Sequence, residues 1–263
     1  MGKGGIENRM QQQQADVSPF NAELRIGGLY DSRVGSASGG GDAGADKALA
    51  ATLTAGWQMV PLKGDVGLRL DYSGYADFHQ DFEEYNVLDQ SLSLEAQYKH
   101  GPFIYSLPLS FNLALVDGKH DYNRYSVFPT ITYLIPDTGQ AVAFYGIGAR
   151  IGDWDENKTL DEDGETYGVG CAYLYAFDNR SRVRLSLDYQ HSVYDARLVD
   201  YGRGSLSTDE REDDAIVAGL DILYQMTDHF GLYLNYAFIH SNSNVDLYEY
   251  DRHMVQGGVS FKF

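Results

Sequence analysis

The last residues of the chain, Asp251 to Phe263, constrain the fold more than any other stretch. Counted back from the end, Phe263, Phe261, Val259, Gly257 and Val255 fall on one face, and Lys262, Ser260, Gly258, Gln256 and Met254 on the other. Apolar side chains gather on the first face and polar ones on the second, because successive residues of an extended strand point to opposite sides. A soluble β-sandwich would show the same period. Two features argue instead for a sheet closed in a membrane: the aromatic carboxy terminus, and the return of this pattern in units of roughly ten residues along the whole chain.

Taken in order, alternation predicts strands over 20–30, 49–59, 66–73, 92–99, 103–115, 125–135, 141–151, 167–177, 182–190, 216–224, 232–238 and the closing segment. The clearest is the fifth, whose Phe103, Tyr105, Leu107, Leu109, Phe111, Leu113 and Leu115 form one apolar face. Pro108 lies on its polar face and removes a ladder donor, so a local disruption or bulge is expected there. Connections alternate in length. Pro61-Leu62-Lys63-Gly64, His100-Gly101-Pro102, Pro136-Asp137-Thr138-Gly139, Asp178-Asn179-Arg180 and Thr227-Asp228-His229 are short, whereas 32–46, 79–85, 117–121, 152–165, 195–214 and 241–248 are longer and polar. The fold class this predicts is all-β: a closed antiparallel transmembrane β-barrel of about twelve strands, with short periplasmic turns and longer extracellular loops. Trp57, Phe103, Tyr133, Tyr175, Phe177, Tyr224 and Phe230 cluster near the short-turn ends, where an interfacial girdle belongs. Residues 19–263 form the barrel. Residues 1–18, polar and without period, are expected to be a flexible periplasmic tail, in part a vector remnant. A hairpin hidden in 195–214 would change the strand count by two.

Composition is compatible with this reading. The mean hydropathy of -0.36 looks too low for a membrane, but a barrel shows only alternate residues to lipid. No run approaches the apolar length of a helical span, and the amino terminus has no hydrophobic signal region, so any export signal is expected to have been removed or never to have been part of this sequence. Cys171 is the only cysteine, which excludes an internal disulfide and a cysteine metal cage. The net charge of -18 argues against a nucleic-acid partner, since phosphate binding needs clustered Lys and Arg. Nothing in the pattern calls for a cofactor or a metal.

The alternation ending on Phe261 and Phe263 resembles the closing strand of bacterial outer-membrane β-barrels. That resemblance implies an outer-membrane location with both termini periplasmic, and a last aromatic residue that is part of the insertion signal. It also implies contact with outer-membrane lipid, lipopolysaccharide and the barrel-insertion machinery. The polar faces then line a lumen, whose charges are Arg25, Arg69, Lys99, Arg124, Arg150, Arg182, Arg184, Arg252 and Lys262 against Glu23, Asp71, Glu95, Asp188 and Asp221. A wall biased towards basic residues suits a porin-like channel for passive diffusion of small hydrophilic solutes, anionic ones preferred, because fixed charges in a narrow pore act at short range. The alternative is that these groups pair across a blocked lumen.

Two further readings stay open. Gly27-Gly28-Leu29-Tyr30-Asp31-Ser32 and Tyr250-Asp251-Arg252 resemble phrases in the carboxy-terminal barrels of exopolysaccharide-export and surface-lipoprotein assembly systems. That resemblance implies a periplasmic or surface protein partner. Outer-membrane lipid hydrolases resemble one another in a His-x-Ser pair, whose spacing of two puts base and nucleophile on one face. Here only His191-Ser192 and His240-Ser241 come near, and adjacent residues face opposite ways, so no catalytic residue is assigned. Asp153, Asp155, Glu156, Asp161, Glu162, Asp163 and Glu165 have the oxygens for a divalent cation. Lys158 stands where the calcium-binding EF-hand loop needs Gly, and the stretch reads as a solvated acidic loop, as does the run Asp209, Glu210, Glu212, Asp213 and Asp214.

Overall fold

The computed structural model describes residues 19–34, 44–60, 65–152, 163–177, 181–194, 199–200, 206–207, 210–245 and 248–263. The alternating stretches become strands that cross a cylinder in turn: β1 (Phe20–Val34), β2 (Gly44–Val60), β3 (Val66–His79), β4 (Val87–His100) and β5 (Phe103–Val116). The sixth passage is split into β6 (Lys119–Val127) and β7 (Thr130–Ile135). β8 (Gln140–Gly152), β9 (Gly164–Ala176), β10 (Arg182–Tyr194), β13 (Arg211–Gln225), β14 (Phe230–Ser243) and β15 (Tyr250–Lys262) complete the circuit. Consecutive passages pair antiparallel, and β1 pairs with β15, with Leu24 opposite Phe261 and Asp31 opposite Met254. That last pairing closes a barrel of twelve passages and leaves no sheet edge.

The distribution of side chains is the reverse of a soluble protein's. Leu107, Leu109, Phe144 and Val169 stand outward, 44%, 52%, 62% and 63% exposed, while Asp31, Asp77, Asn123 and Ser260 are buried. Alternate residues thus form an apolar outer band and a polar interior, as a lipid-spanning barrel requires. The girdle at the short-turn end is built from ring contacts: Phe20 with Trp57 (5.6 Å between centroids), Phe103 with Tyr133 (5.2 Å), Tyr175 with Phe177 (4.7 Å) and Phe230 with Phe261 (5.5 Å).

Three local expectations are corrected. Residues 117–121 are not a loop: Asp117 and Gly118 alone make the turn, with φ of 50° and 69°, and Val116 pairs with Lys119. Positive φ at both central residues is the mirror-image turn that fits the twist of a two-residue hairpin, and Asp-Gly is the sequence that adopts it. The disruption expected at Pro108 lies on its neighbour. Pro108 keeps its register with Glu95 on β4, and the sixth passage breaks opposite it, at Phe128-Pro129 between β6 and β7. There the Phe128 N–H donates to the Pro108 carbonyl (3.2 Å), and the Gly146 N–H to the Pro129 carbonyl (3.0 Å); neither proline has an N–H of its own to return. Residues 195–214 do contain a hairpin, β11 (Val199–Asp200) with β12 (Leu206–Ser207), but it forms a separate sheet and the barrel count stays at twelve.

Inside the wall, two tyrosines lie over glycines of the next strand. Tyr145 is opposite Gly170, and Tyr233 is opposite Gly258, itself opposite Gly27. A Cβ at Gly170 would run into the Tyr145 ring, and one at Gly27 into the Tyr233 hydroxyl. Both rings lie on the inner face near the middle of their strands.

Candidate functional site in the barrel lumen

The spacing of two that defines a strand face also sets how the lumen charges meet. Glu23 and Arg25 are two apart on β1, and Arg25 Nε lies 2.6 Å from Glu23 Oε1, with Asp221 3.8 Å away on the other side. The Ser260 hydroxyl donates to the same Glu23 oxygen (2.7 Å), and Tyr233 lies under the guanidinium at 5.5 Å. Arg69 and Asp71 repeat the arrangement on β3, at 2.7 Å. On β10, Arg184 stands opposite Asp221 and reaches the Tyr145 hydroxyl, which donates to Asp188.

At the long-loop end, Arg252 grips Asp31 with both Nε and one terminal nitrogen; Nε is 3.0 Å from each carboxylate oxygen. Asp31 is 1% exposed. Beside it, His79 Nδ1 is 3.2 Å from Asp46 and Nε2 3.7 Å from Asp77, and the Tyr75 hydroxyl donates to Asp77 (2.9 Å). The backbone N–H groups of Asp81 and Phe82 donate to Asp46, at 3.2 and 3.3 Å, and that of Val87 to Asp77, at 2.9 Å. Sequence reasoning missed Asp31, Asp46, Tyr75, Asp77 and His79, having ended the first strand at Tyr30, begun the second at Leu49 and ended the third at Ser73. The signal was present, since Tyr75, Asp77 and His79 continue the inward face of Arg69, Asp71 and Ser73 at the same spacing.

Other expected lumen residues are scattered or misplaced. Arg124 faces inward opposite Asn112, and its buried Nε has no hydrogen-bond partner. Glu95 stands opposite Arg69 with no ion pair, and Lys99, near the short-turn end of β4, likewise has none among the described residues. Arg150 is not in the lumen. It is exposed on the outer face, opposite Tyr125 and Glu165. The reason is that β8 carries small or apolar residues on both faces, with Ala141, Ala143, Ile147 and Ala149 buried inside, so its polarity does not mark the inner side.

The acidic run before β13 is also corrected. Glu212, Asp213 and Asp214 belong to the strand; Asp213 turns inward to Arg211 (3.1 Å) and Ser243 (2.6 Å), and Asp214 outward to His191 (3.0 Å) and Tyr189 (2.6 Å). Of the acidic-loop candidates only Asp163 and Glu165 are described; Asp153, Asp155, Glu156, Asp161 and Glu162, like Asp209, lie outside the described residues. The His-Ser pairs separate as adjacency requires. His191 bonds Asp214 while Ser192 bonds Thr166 (2.9 Å), and His240 bonds Asp251 (2.7 Å) while Ser241 is buried.

At the short-turn end the lumen opens into a polar cavity of about 1000 Å³. Four side-chain cations line it, Arg25, Arg69, Arg182 and Lys262, with three side-chain carboxylates, Glu23, Asp71 and Asp228, and with the terminal residue Phe263. Phe263, 76% exposed, closes the adjoining seam by donating its N–H to Ala22 (2.9 Å).

No protein-family model matches the sequence, and no curated protein matches it. Among solved structures the barrel is similar to the COG4313 outer membrane channel from Pseudomonas putida F1, at 12% identity and a TM-score of 0.57 over 93% of this chain and 95% of that one. It is also similar to the NanC porin, at 13% identity and a TM-score of 0.50 over 91% of this chain and 100% of that one. At such identities the likeness is one of fold. The chain has the fold of outer-membrane porin-like β-barrels.

Proposed function

We propose that the protein is a channel of the bacterial outer membrane, with both termini and the short turns facing the periplasm. Small hydrophilic solutes diffuse through its lumen without covalent chemistry, anions in preference to cations. The observation that carries the reading is the polar cavity at the short-turn end, where Arg182 and Lys262 have no ion-pair partner among the described residues in a chain whose total charge is -18. Such a distribution places positive potential where a solute must pass, and the low-dielectric wall keeps it effective over short distances. The paired groups Arg25, Glu23, Arg69 and Asp71 shape the wall, and Arg182 and Lys262 supply the charge left unpaired. Arg184, Asp188 and Asp221 set the polar lining at mid-height, and Arg252 belongs to the paired network at the long-loop end. Phe261 and Phe263 are proposed to serve as the insertion signal read by the barrel-insertion machinery.

Single-channel recording in a planar bilayer across a potassium chloride gradient tests the proposal. Steady conductance with a reversal potential of the sign set by chloride is expected. Absence of conductance from protein shown to be folded and inserted would overturn the channel reading, and a cation-selective current would overturn the anion preference.

A further inference from the structure

The cavity at the short-turn end is more specific than a diffuse positive field needs. Arg25 and Arg69 each hold a carboxylate two residues away on their own strand. Arg182 and Lys262 do not: among the described residues neither has a carboxylate within ion-pair distance. Lys262 stands opposite Glu23 in the register, but the Glu23 carboxylate is taken by Arg25 and Ser260. Arg182 and Lys262 also feel each other's charge, so two like charges face one space.

The third element is Gln225 on β13. It is 7% exposed, lines the same cavity, and neither the oxygen nor the nitrogen of its side-chain amide has a hydrogen-bond partner. Its backbone N–H bonds the Ser181 hydroxyl (3.3 Å), immediately before Arg182, which fixes the amide beside the start of β10. Buried amides are ordinarily satisfied, and one left without a partner on both atoms beside a cavity marks a place for a ligand.

We propose that Arg182, Lys262 and Gln225 form a recognition site for a small hydroxylated organic anion. The two cations hold a carboxylate, which only accepts hydrogen bonds. The Gln225 amide needs a partner that both accepts and donates, and a hydroxyl does both where a second carboxylate oxygen does not. The selected chemistry is therefore a carboxylate carried on a hydroxylated chain or ring, and a simple fatty acid or a neutral polyol satisfies only half of the site. The assignment extends the channel reading, on which it rests for its transport meaning alone, since binding is measurable without current.

The test is calorimetric titration of the folded, detergent-solubilised full chain with gluconate, hexanoate and sorbitol. They share a carbon count and differ in carrying both features, the charge alone or the hydroxyls alone. Gluconate is expected to bind about tenfold or more tightly than hexanoate, and sorbitol to give no heat. Arg182→Ala and Lys262→Ala should each weaken gluconate about tenfold. Gln225→Leu should bring gluconate down to the hexanoate level and leave hexanoate unchanged, with Gln225→Met as the second variant should the first fail to fold. Equal binding of gluconate and hexanoate, no gluconate heat at millimolar concentrations, or variants indistinguishable from the parent would overturn the site. A barrel that conducts without binding gluconate keeps the channel and loses the site, and one that binds without conducting does the reverse.

Discussion

The two ends of the lumen use the same residue types to opposite effect. At the long-loop end the carboxylates Asp31, Asp46 and Asp77 are buried and engaged, by Arg252, by His79 and by backbone N–H groups of the 80–87 segment. At the short-turn end two cations and a glutamine amide remain uncommitted around a cavity. Charge that is used up holds strands together, and charge left over is available to a solute. The difference teaches that a count of lumen charges says little until the pairs are removed from it.

The comparison breaks if the network at the long-loop end does not stabilise the barrel. Asp31→Ala leaves the Arg252 guanidinium buried without its counter-ion, and should cost about 3–5 kcal/mol. Urea titration of the refolded barrel, followed by tryptophan fluorescence, measures it. The pair Asp31→Leu with Arg252→Met should recover most of that loss, because an apolar replacement of both partners removes the desolvation cost with the attraction. A loss below about 1 kcal/mol for Asp31→Ala would mean that the end is no more than a solvated rim.

The mid-height boundary between the two ends is expected to respond next. Gly170→Val puts a side chain where the Tyr145 ring lies, and overpacking of this kind costs about 1–3 kcal/mol. The same titration reads it, and Tyr145→Ala in the Gly170→Val background should relieve part of the clash. Arg69→Ala removes a half-exposed pair with Asp71 and should cost only about 0.2–1 kcal/mol, less at high salt. Smallest of all, Arg182→Ala with Lys262→Ala should leave stability within about 0.5 kcal/mol of the parent, while moving the reversal potential towards zero. A large stability loss in that double variant would merge the two ends into one structural network.

Much of this was legible in the sequence, for a physical reason: a two-residue period survives any tertiary context, so the passages, their outward faces and the closing role of 251–263 could be read directly. Where both faces carry similar residues the period falls silent, which is how Arg150 was assigned to the wrong side. The ends of strands were less legible than their middles. Strand pairing continues past the apolar band, so Tyr75, Asp77 and His79, and Glu212 to Asp214, looked like loop while being part of the wall. The i, i+2 ion pairs on β1 and β3 were implicit in the spacing, whereas the clasp between Asp31 and Arg252 depends on the β1–β15 register, which no local pattern encodes. The unpartnered amide of Gln225 was also out of reach, because its lack of a partner is a property of three strands together.

The break at Phe128-Pro129, set against Pro108 on β5, has a mechanical consequence. Every other passage is a continuous splint, while this one is two shorter pieces joined by a residue pair that offers a single amide hydrogen. A tube scored along one line yields there first. When the surrounding bilayer is thinner or thicker than the apolar band, the wall should take up the mismatch by flattening across this seam, so that membrane thickness becomes a handle on the cross-section of the lumen.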